Sequence, residues 1–118
     1  MKWWGAAGFF LSLAIFNCYY FFGFFTPYNY FTAKWDVAHG KAALLVYGEL
    51  SLDEAEAVQV APEFGFQRLR VAGYTVTIPF VNGITDYNAV VWSYLTEKNG
   101  EGWWKAYERR VSQVTNQK

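Results

Sequence analysis

The sequence has one cysteine, one histidine, three prolines and no charged side chain between Lys2 and Lys34. A single cysteine forms no disulfide within the chain, and Cys18 with His39 is too small a set for a zinc or iron–sulfur site. We therefore expect no metal and no cofactor. Basic and acidic residues number ten each. Because a protein needs an excess of basic residues to neutralise phosphates, this balance argues against a nucleic-acid partner.

The segment without charge is rich in aromatic residues. The 31 residues between the two lysines hold fourteen of the 26 aromatic side chains, and its central part, residues 5–25, is 21 residues long. A helix of that length rises about 31 Å, which matches the roughly 30 Å hydrocarbon core of a bilayer. The sequence therefore predicts a single N-terminal transmembrane helix surrounded by lipid.

Two kinds of cleaved leader compete with this interpretation. The apolar run is longer than the core of a signal peptide, which has about 7–15 residues, and no small-residue cleavage site precedes Pro27. A lipoprotein needs small residues before its cysteine, whereas Phe16 and Asn17 precede Cys18. We expect an uncleaved anchor that retains Met1.

Aromatic residues flank the apolar run, as is typical of helices that end at lipid–water boundaries. The predicted membrane-interface anchors are Trp3, Trp4, Tyr28, Tyr30 and Phe31. Pro27 ends the helix, because the residue before a proline is pushed out of helical geometry. Residues 1–31 are thus the predicted anchor, and residues 32–118 a small extramembrane domain. Positive charge at Lys2 favours a cytoplasmic N-terminus, with the domain on the opposite side of the membrane.

Small residues recur along one side of the predicted membrane helix. The predicted helix–helix contact comprises Gly5, Gly8, Ser12, Tyr19 and Gly23, with Asn17 near the middle of the membrane. Small side chains let a second helix approach closely, and an unpaired amide in lipid is costly. Alternatively, these residues are ordinary in a membrane helix, and Asn17 bonds its own backbone. We expect integral membrane protein subunits and lipid as partners.

The remaining residues predict a small α+β domain with two or three strands and three or four helices. We expect helices over residues 32–39, which Gly40 ends, and 52–60, with Ser51 and Glu54 as a capping box. Strands are expected over residues 42–47 and 67–71, the second with Leu69 and Val71 facing inward. Residues 74–78 either extend that strand across a bend at Gly73 or form another one.

Two further helices are predicted after a turn at Asn82-Gly83. Apolar residues recur at helical spacing from Tyr87 to Leu95, with Asp86 as N-cap. The last helix begins at Trp103 and includes Val111. Trp103 and Trp104 are most simply explained by packing, and Trp104 is the candidate for a partner surface.

Several of these segments together resemble the FEKKY domain, an uncharacterised family found mostly in Bacteroidetes. The matching pieces are DVAHGK at 36–41, YGE at 47–49, EFGF at 63–66, VAGYTVT at 71–77, YN at 87–88, YL at 94–95, GWW at 102–104 and YE at 107–108. The resemblance covers about residues 33–111. Tyr74 stands where the family carries a cysteine. The resemblance implies a fold and a bacterial origin and no activity. With that origin, the predicted orientation places the anchor in the bacterial inner membrane and the domain in the periplasm.

No phosphate-binding glycine loop, nucleophile–histidine pair or metal-ligand spacing is present in the sequence, so we do not expect an enzyme. An acidic stretch over residues 49–63 is either a solvated helix face or a cation site. We expect a non-catalytic, single-span accessory subunit of a larger bacterial membrane complex, by analogy a respiratory or photosynthetic one. The alternative is a membrane-tethered module that binds a small ligand or an envelope component.

Overall fold

The computed structural model describes residues 2–73 and 75–117, in which five α-helices and one two-stranded sheet are formed. In chain order the elements are α1 (Lys2–Phe22), α2 (Tyr30–Ala38), β1 (Ala43–Tyr47), α3 (Glu54–Val60), β2 (Gln67–Ala72), α4 (Ile78–Asn99) and α5 (Trp103–Asn116). A 3₁₀ helix over Ala61–Phe64 follows α3 directly. The predicted apolar N-terminal helix and α+β domain are confirmed.

The two strands are parallel, with Ala43 opposite Gln67 and Leu45 opposite Leu69. Parallel strands need a crossover connection, and α3 with its 3₁₀ extension provides it. The first three residues of β1, Ala43 to Leu45, are buried. A strand covered on both faces has a continuous apolar sequence, which explains why this strand could be predicted.

The core lies between β1 and the helices α2, α3, α4 and α5. Tyr87 of α4 and Tyr107 of α5 are the largest fully buried side chains. Each hydroxyl has a partner: Tyr87 donates to the Asp36 carboxylate of α2, and Tyr107 donates to the Ala57 carbonyl at 2.8 Å. The two buried phenols therefore fasten α2 to α4 and α3 to α5.

The predicted turn at Asn82-Gly83 is wrong, because both residues lie inside α4. The helix begins earlier, where the Thr77 hydroxyl accepts from the Phe80 N–H at 3.3 Å and Pro79 occupies the first turn. Proline is favoured there because its missing N–H would have no helical partner anyway. Asp86 is consequently an interior residue and not the N-cap.

The predicted strand over residues 75–78, whether an extension of β2 or a separate strand, is also wrong: residues 75–77 have no regular structure, and Ile78 starts α4. The prediction for Tyr74 lies outside the described residues. Within β2, the expected inward orientation of Leu69 is wrong, since 41% of that residue is exposed.

The helix ends differ from the predicted ones in how they are capped. α3 begins at Glu54, and the Ser51 hydroxyl donates to the Glu54 carboxylate at 3.0 Å in place of the predicted capping box. A capping box does form at α2, where Asn29 is the N-cap and Thr32 its partner. Gly40, with φ 71°, follows α2 as predicted.

Candidate membrane anchor and partner surfaces

The helix α1 is long and apolar enough to cross a membrane. Residues Trp3–Phe22 have a mean hydropathy of 1.5, and none of them is buried in the domain. Trp3 and Trp4 are 84% and 82% exposed at one end of this helix. Length and composition are the basis for regarding α1 as a membrane span.

The predicted stripe of small residues lies mostly on open surface. Within the described residues, a Cβ added at Gly5 or Gly8 would meet no atom within 4 Å beyond its chain neighbours and the local helix backbone. Asn17 donates from its side chain to the Leu13 carbonyl of its own helix at 2.8 Å, so the alternative explanation accounts for it. The contact of Gly5, Gly8, Ser12 and Tyr19 with a second helix stays a prediction.

Gly23, the last member of that stripe, contacts α4 of the same chain. It follows α1 with φ 63°, a conformation that favours glycine. A Cβ at this position would lie 2.6 Å from the Pro79 carbonyl oxygen and 2.7 Å from the Gly83 Cα. Gly23 therefore lets the end of α1 approach the first turns of α4.

Gly83 makes the second half of this close contact. A Cβ there would lie 2.2 Å from the Tyr28 carbonyl oxygen and 2.8 Å from the Thr26 hydroxyl. The neighbouring Asn82 donates its amide to the Tyr20 carbonyl at 2.8 Å. That carbonyl belongs to the last turn of α1, which has no helical donor for it. Asn82 and Gly83 thus act as a seat for the chain leaving α1.

Asn29 organises the chain between α1 and α2, residues 23–29, which we call the neck. Its side-chain oxygen accepts from the N–H groups of Phe31 and Thr32 at 2.9 and 3.1 Å. Its amide donates to the carbonyls of Phe24 and Thr26, both at 3.2 Å. Only 4% of the surface of Asn29 is exposed. One buried asparagine therefore provides hydrogen-bond partners both for the first N–H groups of α2 and for the backbone carbonyls of the neck.

The predicted interface aromatics divide into two groups. Tyr30 and Phe31 are 44% and 63% exposed at the start of α2. Tyr28 packs edge-on against Tyr87 and Phe80, with ring centroids 5.7 and 6.1 Å apart. Tyr28 thus joins the neck to the domain core, whereas Tyr30 and Phe31 face outward.

Trp104 belongs to a cluster of three tryptophans where α4 ends and α5 begins. The ring of Trp92 lies 4.8 Å from that of Trp103 and 5.1 Å from that of Trp104. The buried Trp103 donates its indole N–H to the Thr96 hydroxyl at 3.0 Å, while Trp92 is 42% exposed. The cluster borders an open groove of about 730 Å³, which Glu97 and Lys105 also line.

Sequence reasoning missed Trp92. The helical pattern assigned Tyr87 and Val91 to the core, and both are buried. The residue after Val91 then points away from the core. A tryptophan at a solvent-facing position of the predicted helix was the sequence signal that could have identified this residue.

Two glutamates of the acidic stretch pair with arginines from other elements. Glu54 holds Arg68 of β2 through two hydrogen bonds of 2.8 and 3.0 Å, and Glu63 holds Arg110 of α5 at 3.1 and 3.2 Å. The hydrogen bonds from Arg68 lower the pKa of the Glu54 carboxyl, and those to Glu54 raise the pKa of Arg68. Burial raises the pKa of Asp86. In the described ranges no group of three or more His, Cys, Asp or Glu residues is placed to hold a metal ion.

No family model, curated protein or solved structure matches the chain. The resemblance to the FEKKY domain stays a prediction.

Proposed function

We propose that this chain is a non-catalytic, single-span accessory subunit of a larger bacterial membrane complex. In this proposal α1 packs against an integral membrane subunit, and the domain covers an adjoining surface of the complex. The observation that carries the proposal is a helix with no charged and no buried residue over Trp3–Phe22, whose last turn is fastened to the domain by Gly23, Asn82 and Gly83.

The fastened neck favours a subunit over a loosely tethered domain. A flexible linker leaves a domain free to search for ligands, whereas contacts at the limit of steric approach fix its orientation relative to the anchor. A fixed orientation is useful when the span and the domain must meet two surfaces of one assembly together.

The open small-residue face supplies the contact within the membrane. Helices in lipid associate through close packing and not through the hydrophobic effect, so they need small residues where they meet. Gly5, Gly8 and Ser12 offer such a face, and among the described residues no other part of the chain covers the two glycines.

Substitution on this face tests the proposal with a matched control. Replacing Gly8 and Ser12 with leucine should release the chain from its complex during purification in mild detergent. Ala7 and Ala14 lie on the opposite side of the helix at 100° per residue, so Ala7→Leu/Ala14→Leu adds the same bulk elsewhere. Size-exclusion chromatography with mass spectrometry identifies what co-purifies. A wild-type chain that runs as a lone monomer contradicts the proposal.

We also propose a cytoplasmic N-terminus and a periplasmic domain. Labelling with a membrane-impermeant maleimide tests this in a Cys18→Ser background that carries Ser112→Cys on α5. Intact spheroplasts should label and sealed inverted vesicles should not. The reverse pattern places the domain in the cytoplasm.

A second function, a membrane-tethered binding module, has its own observation in the groove beside Trp92 and Trp104. Partly exposed aromatic rings next to carboxylates suit a small ligand or an envelope component. Native mass spectrometry of the full chain should then show a bound molecule that Trp92→Ala removes. Tyr47→Ala, an exposed aromatic on β1, is the control.

A further inference from the structure

We propose that the outward face of α2 lies on the phospholipid headgroup layer, so that lipid supports the domain beside the span. We define this face by Phe31, Lys34, Trp35 and Ala38. The inference rests on the proposed membrane anchoring of α1 and adds a second lipid-binding surface to it.

The spacing of these residues places them on one side of α2, opposite the side that packs into the domain. Ala33 is fully buried, whereas Phe31 and Trp35 are 63% and 65% exposed. A short surface helix ordinarily presents polar residues to water. Two large aromatic side chains exposed on one face therefore indicate a surface that is covered in the working protein.

A chain of aromatic rings connects this face to α1. The rings of Phe22 and Phe24 lie 5.5 Å apart, and those of Phe24 and Phe31 lie 5.4 Å apart. Phe22 is the last residue of α1, and Phe25, three residues later in the chain, is 71% exposed. The outward face of α2 is thus a continuation of the apolar surface of α1.

Helix geometry keeps Trp35 near the boundary whatever the tilt of α2. Trp35 follows Phe31 by four residues, so it lies at most about 6 Å farther along the helix axis. The headgroup layer of one leaflet is about 5–8 Å thick. Even an α2 that stood upright would keep the Trp35 ring close to that layer.

The side chains on this face suit headgroups. Trp35 stacks on His39, with ring centroids 4.1 Å apart, which holds the indole outward. The Lys34 ammonium lies 5.5 Å from the centre of the Tyr30 ring. Tryptophan prefers the lipid–water boundary, and a lysine beside it reaches lipid phosphates. A phospholipid surface is therefore the occupant that this chemistry fits.

Fluorescence quenching in nanodiscs tests the inference on the full chain. In a Cys18→Ser background, the environment-sensitive dye NBD is attached to one new cysteine at a time: Ala14→Cys in α1, Ala38→Cys on the proposed face, or Ala106→Cys on the exposed side of α5. Phosphatidylcholine carries a nitroxide on either its headgroup or its acyl chain. Headgroup nitroxide should quench position 38 several-fold more than position 106, and acyl-chain nitroxide should quench position 14.

The outcomes separate the two proposals. Quenching at position 14 with equal, weak quenching at positions 38 and 106 overturns the lipid-facing role of α2 alone. No quenching at position 14 overturns the membrane anchoring and this inference with it. If position 38 is shielded only in a purified protein complex and unquenched in nanodiscs, a protein covers the face and the lipid assignment is wrong.

A comparison of two variants tests whether the aromatic residues cause the headgroup quenching at position 38. Phe31→Ser/Trp35→Ser should reduce headgroup quenching at position 38 several-fold. Trp92→Ser removes an exposed tryptophan elsewhere and should leave it unchanged. Equal quenching in both variants contradicts the proposal.

Discussion

The side chain of Asn88 pairs with the main chain of Leu45 as a neighbouring strand would. The Leu45 N–H donates to the Asn88 side-chain oxygen at 2.8 Å, and the Asn88 amide donates to the Leu45 carbonyl at 3.0 Å. An edge strand exposes unpaired groups that invite association with other chains. One residue of α4 therefore closes the free edge of β1 within its buried part.

Replacing Asn88 with leucine should destabilise the domain strongly. The substitution keeps the size of the side chain but leaves two buried backbone groups without partners, at about 1–3 kcal/mol each. Chemical denaturation followed by tryptophan fluorescence measures the change. Asn99→Leu is the control, because Asn99 makes an exposed hydrogen bond to the Phe64 carbonyl and should cost much less. Equal losses in the two variants would show that Asn88 has no special role.

Gly83→Ala should destabilise the protein although alanine is normally the better helix residue. In an unstrained helix this change favours folding by about 0.5–1 kcal/mol. Here the new methyl group would lie 2.2 Å from the Tyr28 carbonyl oxygen, so the neck must move away from α4. We expect a net loss of about 1–3 kcal/mol, as for other overpacked sites.

Circular dichroism during thermal unfolding checks this prediction. Gly73→Ala serves as control, because a Cβ there has only an ordinary 3.6 Å contact with Arg70. A Gly83→Ala protein that melts at or above the wild-type temperature would show that the close contact between Gly83 and the neck does not stabilise the protein.

Tyr87→Phe should weaken the attachment of α2 to α4. The ring remains in the core, but the Asp36 carboxylate loses its donor, a hydrogen bond to a charged group that contributes about 1.5–3 kcal/mol. Burial, and then the Asp36 carboxylate, raise the pKa of Tyr87, so the phenol remains a donor at neutral pH. Thermal unfolding measures the loss. Tyr47→Phe, at an exposed position of β1, should have almost no effect.

The Glu54–Arg68 pair should make stability depend on pH. Because the pKa of Glu54 is lower in the folded protein, its contribution is present above the unfolded value near 4.5 and is lost as the pH falls through the folded value. Glu54→Gln should therefore be less stable than wild type at pH 7, and the difference should shrink towards pH 3. Urea denaturation at both values tests this. A difference that stays constant with pH excludes the pair as its source.

The elements that sequence predicts well are those whose local pattern agrees with their surroundings. The apolar run of β1 was recognisable because that strand is buried, and α5 because its apolar residues Trp103, Tyr107 and Val111 recur at helical spacing and are buried. The length and composition of α1 were likewise visible in the sequence itself. These signals depend only on periodicity and length.

The errors arise where distant residues decide the local structure. Asn82-Gly83 is a strong turn signal, yet it lies inside α4 because Gly83 makes room for the neck and Asn82 bonds the end of α1. The Thr77–Pro79 start of α4 was a local signal that could have corrected this. The pairing of Asn88 with Leu45 spans 43 residues and has no local signature.

The contact of Asn82 and Gly83 with the end of α1 and the neck also determines the order of folding events during synthesis. The hydrogen bond from Asn82 to Tyr20 joins residues 62 positions apart. A ribosome that adds about 5–20 residues per second takes several seconds to synthesise the chain from Tyr20 to Asn82. In the proposed topology, α1 emerges and can insert well before its own docking site exists. In that topology the domain closes onto a helix already held in lipid, and folding is completed at the bilayer surface.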